Sequence, residues 1–242
     1  MAIFDAHTLF GFWPQRHADI SPETLVNTLK AHQIDRALTL STQGIFADFA
    51  LGNSETIELC SRSNGLLLPI GTVDPRRFMG TTEEIKKRFE QGVRAWRLCP
   101  ELQGWDLDSA AAEAVLRALA EAGAVLMIDA SAPGAASRVA ARTEEFGLTT
   151  LLLGIAAGQL GELLALLDRA KHCLVETRRL ADPEVIKALG VRFGFERLIF
   201  GTASPLQYVS PARLAVETAG LPEAQRDLVM GGNLIKLLAG GR

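Results

Sequence analysis

The sequence has 242 residues, 48% of them hydrophobic and 22% charged, with a net charge of −3 and a pI near 5.9. That apolar fraction excludes a disordered chain, and the mild negative charge argues against a surface for nucleic acid or an anionic membrane. Apolar runs such as Ala124–Ile128 and Leu148–Leu153 are far shorter than the roughly 20 residues of a bilayer span.

Residues 1–6 carry neither a basic start nor a long apolar core, so the expected location is the cytoplasm. From there short apolar runs alternate with helix-like stretches. The predicted strands are Ala2–Ala6, Arg36–Ser41, Leu67–Val73, Val93–Leu98, Val125–Asp129, Thr150–Gly154, Cys173–Thr177 and Leu198–Gly201. Most are continuous Val, Ile, Leu and Phe runs, as parallel strands covered on both faces require. Ser21-Pro22-Glu23-Thr24 opens a helix with Ser as N-cap and Pro at the first helical position. Thr81-Thr82-Glu83-Glu84 and Asp182-Pro183-Glu184 repeat that logic, and Ser109–Ala122 is amphipathic through Val115, Leu116 and Leu119. Gly231-Gly232-Asn233 reads as a glycine break and an Asn cap before a short closing helix.

Eight strands, each followed by a helix, predict an α/β chain folded as one (β/α)8 barrel domain over residues 1–242. An open doubly wound sheet is the competing solution, but no Gly-x-Gly-x-x-Gly or Walker motif supports it. Cys60, Cys99 and Cys173 are odd in number and widely spaced, which reads as buried thiols.

Barrel chemistry sits where strands end. Those positions hold Asp5-Ala6-His7, Arg97-Leu98-Cys99, Asp129-Ala130-Ser131, Glu176-Thr177-Arg178-Arg179 and Gly201-Thr202-Ala203-Ser204-Pro205. Asp5-Ala6-His7 followed by Gly11 and Trp13-Pro14 resembles the opening of the amidohydrolase superfamily, in its amidohydrolase-related branch. Val93–Leu98, Val175–Leu180, Arg197–Leu206 and Gly231-Gly232-Asn233 resemble that branch's fourth strand, seventh strand, eighth strand and closing helix, in order along the whole chain. The resemblance implies a TIM barrel with a metal-dependent hydrolase ancestry.

Carried over residue by residue, the ligand set that the resemblance implies mostly fails. His7 is kept, but the second histidine of His-x-His is Leu9. The fifth-strand histidine falls on Asp129, the sixth-strand histidine on Ile155 and the eighth-strand aspartate on Ala203. If a complete structural zinc site contributes ~10–16 kcal/mol, each ligand supplies roughly 3–4, and two hold zinc only loosely. The expectation is therefore no metal ligand set and no cofactor, with a weakly held divalent ion at His7 and Asp129 as the alternative.

The remaining groups still support chemistry. His7 is a general base or acid, Asp129 and Glu176 position water or take a proton, and Arg97 clamps a substrate carboxylate. Ser204 supplies a hydrogen bond near the vacated eighth-strand position, and Trp13 covers the mouth or packs on the first helix. Duller roles compete: His7 paired with Asp5, Arg97 neutralising Asp129 or Glu176, Asp129 capping a helix, and Glu176 paired with Arg178 or Arg179 on the rim. His17, His32 and His172 read as structural or exposed, and Cys99 as an inert thiol.

Three functions stand at this level. One is a hydrolase, decarboxylase or lactonase-type enzyme that has abandoned the ion and acts on a small carboxylated molecule. Another is a non-catalytic small-molecule-binding or partner-subunit barrel. The last binds manganese or magnesium through His7, Asp129, Glu176 and water. A small molecule is the expected partner, and a homodimer through Leu160–Leu167 is weighed against barrel packing by the same residues.

Overall fold

Buried apolar runs become parallel strands only if helices cover the outer face, and the computed structural model, described here for residues 2–240, has that arrangement. The strands are β1 (Phe4–Phe10), β2 (Arg36–Ser41), β3 (Leu67–Gly71), β4 (Ala95–Leu98), β5 (Val125–Asp129), β6 (Thr150–Leu153), β7 (Cys173–Glu176) and β8 (Leu198–Ile199). They pair in sequence order, all parallel. The Ala6 amide donates to the Phe200 carbonyl at 2.9 Å and the Leu9 amide to the Ser204 carbonyl at 2.9 Å, which joins the last strand to the first. The result is a (β/α)8 TIM barrel.

Two apolar clusters follow from the two-residue period of a strand. Leu38, Leu40, Ile70, Ala95, Met127, Leu151 and Ile199 fill the barrel, while Trp96, Leu126, Ile128, Leu152, Val175 and Leu198 face the helices. Helices are fixed as their caps imply. The Ser21 hydroxyl accepts from the Thr24 amide, Ser109 from Ala112 and Asp182 from Glu184, at 3.2, 3.2 and 3.0 Å. In the helix Ala110–Glu121, Val115, Leu116 and Leu119 are fully buried. Leu163, Leu166 and Leu167 are buried in the barrel's own packing, so their apolar face is already covered. Among the described residues no helix is long and apolar enough to cross a membrane.

Three local readings are corrected. The first strand extends to Phe10 rather than ending at Ala6, because its pairing with β2 slips between Asp5 and Thr8. Ala6 and His7 together face one residue of β2, a bulge that lets the strand continue after re-aiming a side chain. The helix Thr81–Glu90 is preceded by Gly80 at φ +89°, and the Thr81 hydroxyl turns back to the Phe78 carbonyl instead of capping. Gly231 and Gly232 lie inside a π-helical turn, Leu228–Gly232, that runs directly into the helix Asn233–Ala239. Asn233 is not a cap; its side chain amide donates to the Phe195 and Leu198 carbonyls at 2.8 and 2.9 Å. The glycine is needed for contact, since a Cβ on Gly231 would lie 2.6 Å from the Ala2 carbonyl oxygen.

That contact is testable by urea unfolding. Gly231→Ala is expected to destabilise the fold by about 1–3 kcal/mol through overpacking. Gly161→Ala, in the helix Leu160–Arg169 with nothing within 4 Å of its would-be Cβ, is expected to leave stability unchanged or raise it by up to ~1 kcal/mol.

Candidate active site

The barrel interior is apolar until its C-terminal end, where the same inward period delivers polar groups. Arg97 lies two residues after Ala95 and Asp129 two after Met127, and Glu176 occupies the last position of β7. The bulge in β1 adds His7 to this layer. Here a cavity of about 230 Å³ opens, walled by His7, Leu9, Trp13, Arg97, Asp129 and Ala203 among others.

At its floor the His7 Nδ1 lies 2.9 Å from the Glu176 Oε1, with both side chains essentially out of solvent. The other Glu176 oxygen accepts from the Gly154 amide at 3.1 Å and the Arg178 Nε at 3.3 Å. Burial opposes the Glu176 anion, but the charges of His7 and Arg178 with these donors outweigh it and hold the carboxyl near 2. His7 moves the other way. Burial lowers its pKa first, the Arg97 charge lowers it further, and it falls to about 4 despite Glu176. Around neutral pH the pair is a carboxylate and a neutral imidazole. The carboxylate can only accept, so Nδ1 carries the proton and Nε2 presents its lone pair. Nε2 has no partner among the described residues.

Asp5 does not hold the imidazole. Its carboxyl accepts from the His7 amide at 3.0 Å and from the Thr202 amide at 3.0 Å and hydroxyl at 2.5 Å, tying β1 to the segment after β8. Complete burial pushes Asp5 up to about 7, against the pull of those donors and with the help of the nearby Glu176 charge.

Arg97 is 6% exposed, yet its Nε and Nη1 have no acceptor, and no carboxylate of the described residues lies within 4.0 Å. Neither Asp129 nor Glu176 neutralises it. Asp129 is half-buried on the cavity wall and caps no helix; its Oδ1 accepts from the Ser131 amide at 2.9 Å and from the Ser131 hydroxyl. Glu176 does pair with Arg178, but in the interior and not on the rim. Trp13 stands on the wall, edge-on to Phe46 with centroids 5.1 Å apart. Ser204 is fully buried off the wall, and Ala203, at φ +58°, faces the cavity in its place. Cys99 also lines the cavity, its thiol pushed up by burial.

The other histidines lie elsewhere: His17 is exposed, His32 ends a helix, and His172 bonds to Thr143 and the Ala140 carbonyl. Sequence reasoning passed over Arg16, on the cavity wall within the Trp13–His17 loop, and the Gly154 amide beneath Glu176. A loop arginine between the first predicted strand and the first predicted helix has no periodic signal, and a backbone amide has none at all.

These residues do not fit a divalent ion. Leu9 and Ala203 present hydrocarbon to the cavity, and Ile155 is buried in the outer core. Both Glu176 oxygens are already engaged, which undoes the rearranged set of His7, Asp129 and Glu176. Among the described residues no group of three His, Cys, Asp or Glu side chains is placed to hold a metal.

Known structures share this architecture. The 5-carboxyvanillate decarboxylase of Sphingomonas paucimobilis superposes with a TM-score of 0.80 at 16% identity, covering 98% of this chain and 99% of that one. A probable 2-pyrone-4,6-dicarboxylic acid hydrolase of Acinetobacter baumannii, with citric acid bound, gives 0.74 at 17% identity over 99% and 100%. A variant 5-carboxyvanillate decarboxylase of Novosphingobium aromaticivorans, with manganese bound, gives 0.75 at 16% identity over 98% and 97%. No curated protein matches the sequence. Residues 7–239 match the amidohydrolase family, which spans all eight strands from the His7 bulge onward, and the chain belongs to that family.

Proposed function

We propose that this barrel is a hydrolytic enzyme acting on a small carboxylated molecule, with His7 as its base and no resident metal ion. The observation that carries the reading is Arg97. A guanidinium buried without a counterion costs the folded state several kcal/mol. A carboxylate that enters the cavity Arg97 lines recovers that cost through charge-assisted hydrogen bonds to the unpartnered guanidinium. Structural neighbours named for 5-carboxyvanillate and 2-pyrone-4,6-dicarboxylic acid support the substrate class.

The chemistry follows from the protonation states. Nε2 of neutral His7 takes a proton from water, the hydroxide adds to an ester or lactone carbonyl, and the imidazolium returns the proton to the leaving oxygen. Glu176 fixes the tautomer and stabilises the imidazolium as it forms. Asp129 offers its second carboxylate oxygen to orient the water. Burial holds His7 down first, and a substrate carboxylate on Arg97 offsets the second cause, the Arg97 charge, so binding strengthens the base. Decarboxylation would instead need a proton donor at carbon, and a neutral imidazole is the wrong form. A non-catalytic binding barrel is the second reading, favoured by the hydrocarbon of Leu9, Ile155 and Ala203 at the positions the family resemblance assigns to ligands.

Thermal shift tests the carboxylate site. Benzoate at about 100 times its Kd is expected to raise the Tm by roughly 5–10 °C. Arg97→Met, which keeps the apolar bulk, is expected to abolish the shift, and an unchanged shift in that variant would refute the assignment. Turnover of carboxylated esters and lactones is expected to survive EDTA and to drop about 100-fold or more in His7→Ala. Activity removed by EDTA and restored by manganese would overturn the metal-free mechanism. Binding without turnover would select the second reading.

Proton counting fixes the pH behaviour. An imidazole whose pKa is lowered to about 4 stays neutral until the pH falls close to that value. In an NMR titration of the four histidines, the ring signal that vanishes in His7→Ala is expected to hold its neutral shift from pH 8 to about 5. A midpoint at 6 or above would place the proton on the wrong side of the proposed base.

A further inference from the structure

Arg97 is not alone in lacking a partner at this cavity. Arg16 also lines it, from the segment between Gly11 and Ile20, and forms no ion pair or side-chain hydrogen bond with any described residue. The neck of that segment is closed: the Gly11 amide donates to the Ile20 carbonyl at 2.8 Å, and the Phe12 amide donates to the Thr42 hydroxyl at 2.8 Å. Gly11 sits at φ +120°, and a Cβ there would lie 2.4 Å from the Thr42 hydroxyl oxygen, so only glycine permits this tie. Trp13 is braced on Phe46, and the Arg16 amide donates to the Trp13 carbonyl at 3.2 Å. The loop is thus anchored at both ends and in the middle, and it holds Arg16 over the mouth while Arg97 lies below.

The third guanidinium of the wall, Arg178, is occupied by Glu176. Of the acids on the wall, Asp129 accepts only from the neutral donors of Ser131, Glu101 is exposed at the rim, and neither forms an ion pair with Arg16 or Arg97. Two unpaired cations therefore look into one space from opposite depths, between the apolar walls of Leu9, Leu98 and Leu206. That space, about 230 Å³, equals roughly eight water volumes, below the range of drug-sized ligand pockets. A compact rigid molecule is the size of ligand this space admits.

We infer that the site selects a compact dianion, with one carboxylate on Arg97 and a second anionic group on Arg16, which makes Arg16 the specificity-determining residue. This rests on the carboxylate reading of Arg97 and extends it. Arg16 touches neither His7 nor Glu176 and acts on which acid is held, while Arg97 decides whether an acid is held.

Calorimetric titration of the full chain with benzoate and with isophthalate tests the inference. Isophthalate keeps the ring and one carboxylate and adds a second. It is expected to bind about tenfold more tightly than benzoate, the worth of one further charge-assisted contact. Arg16→Ala is expected to erase that advantage while leaving the benzoate Kd unchanged, and Arg16→Lys to restore part of it. Arg16 is exposed on a loop, and an unchanged unfolding curve verifies that the variant folds. Equal affinity of the wild-type protein for both acids would overturn the inference and leave the Arg97 site standing. So would an Arg16→Ala variant that loses benzoate and isophthalate alike. If the wild-type protein binds neither, the Arg97 reading falls and the dianion falls with it.

Discussion

The site depends on one buried contact, the hydrogen bond between the His7 imidazole and the Glu176 carboxylate. It joins β1 to β7 across the barrel mouth, and each partner decides the other's form. The carboxylate stays ionised because a guanidinium and a backbone amide bind its second oxygen, not because water reaches it. The imidazole stays neutral because it is buried, and because Arg97 and Arg178 add positive charge to the same small volume. A cation in this layer would meet repulsion from Arg97 and Arg178 and find both Glu176 oxygens engaged. The polarity of the mouth is balanced here by side chains and a backbone amide.

Two things that a family membership usually carries together are separable here. The architecture is preserved to the ends of the chain, as the close superposition of proteins only 16–17% identical shows. The chemistry at the mouth is written by a handful of inward positions, and these can change without cost to the barrel. Leu9 and Ala203 are accommodated because the surrounding strand ends are held by backbone hydrogen bonds that do not depend on the side chain.

The barrel was legible in the sequence because continuous Val, Leu and Ile runs between capped helices leave few other solutions, and Arg36–Ser41 and Val125–Asp129 have the boundaries their composition implies. That His7, Arg97, Asp129 and Glu176 gather at one end of the barrel was legible for the same reason: strand ends point somewhere known. The bulge at Ala6 and His7 was not, because a two-against-one pairing is a property of the neighbouring strand's register and leaves no mark in local composition. Nor was the role of Gly231, which is set by the approach of Ala2 some 230 residues earlier in the chain. Ser204 was placed at the mouth by counting along the strand end, but the left-handed turn at Ala203 rotates it away. Pairings were the least legible of all. Nothing in the spacing of Asp5, His7 and Glu176 says that the imidazole turns to the glutamate and only the amide to the aspartate.

The Asp5 carboxylate is bound by residues 197 positions further along. Strand 1 therefore emerges in synthesis with its aspartate and its outer hydrogen-bonding edge unmatched, and both stay so until about residue 204 has been made. Contacts of such long sequence separation form late and slow the whole reaction. The contact between His7 and Glu176, with partners 169 residues apart, has the same long-range character. The polar layer of the mouth is therefore complete only when the ring of strands closes.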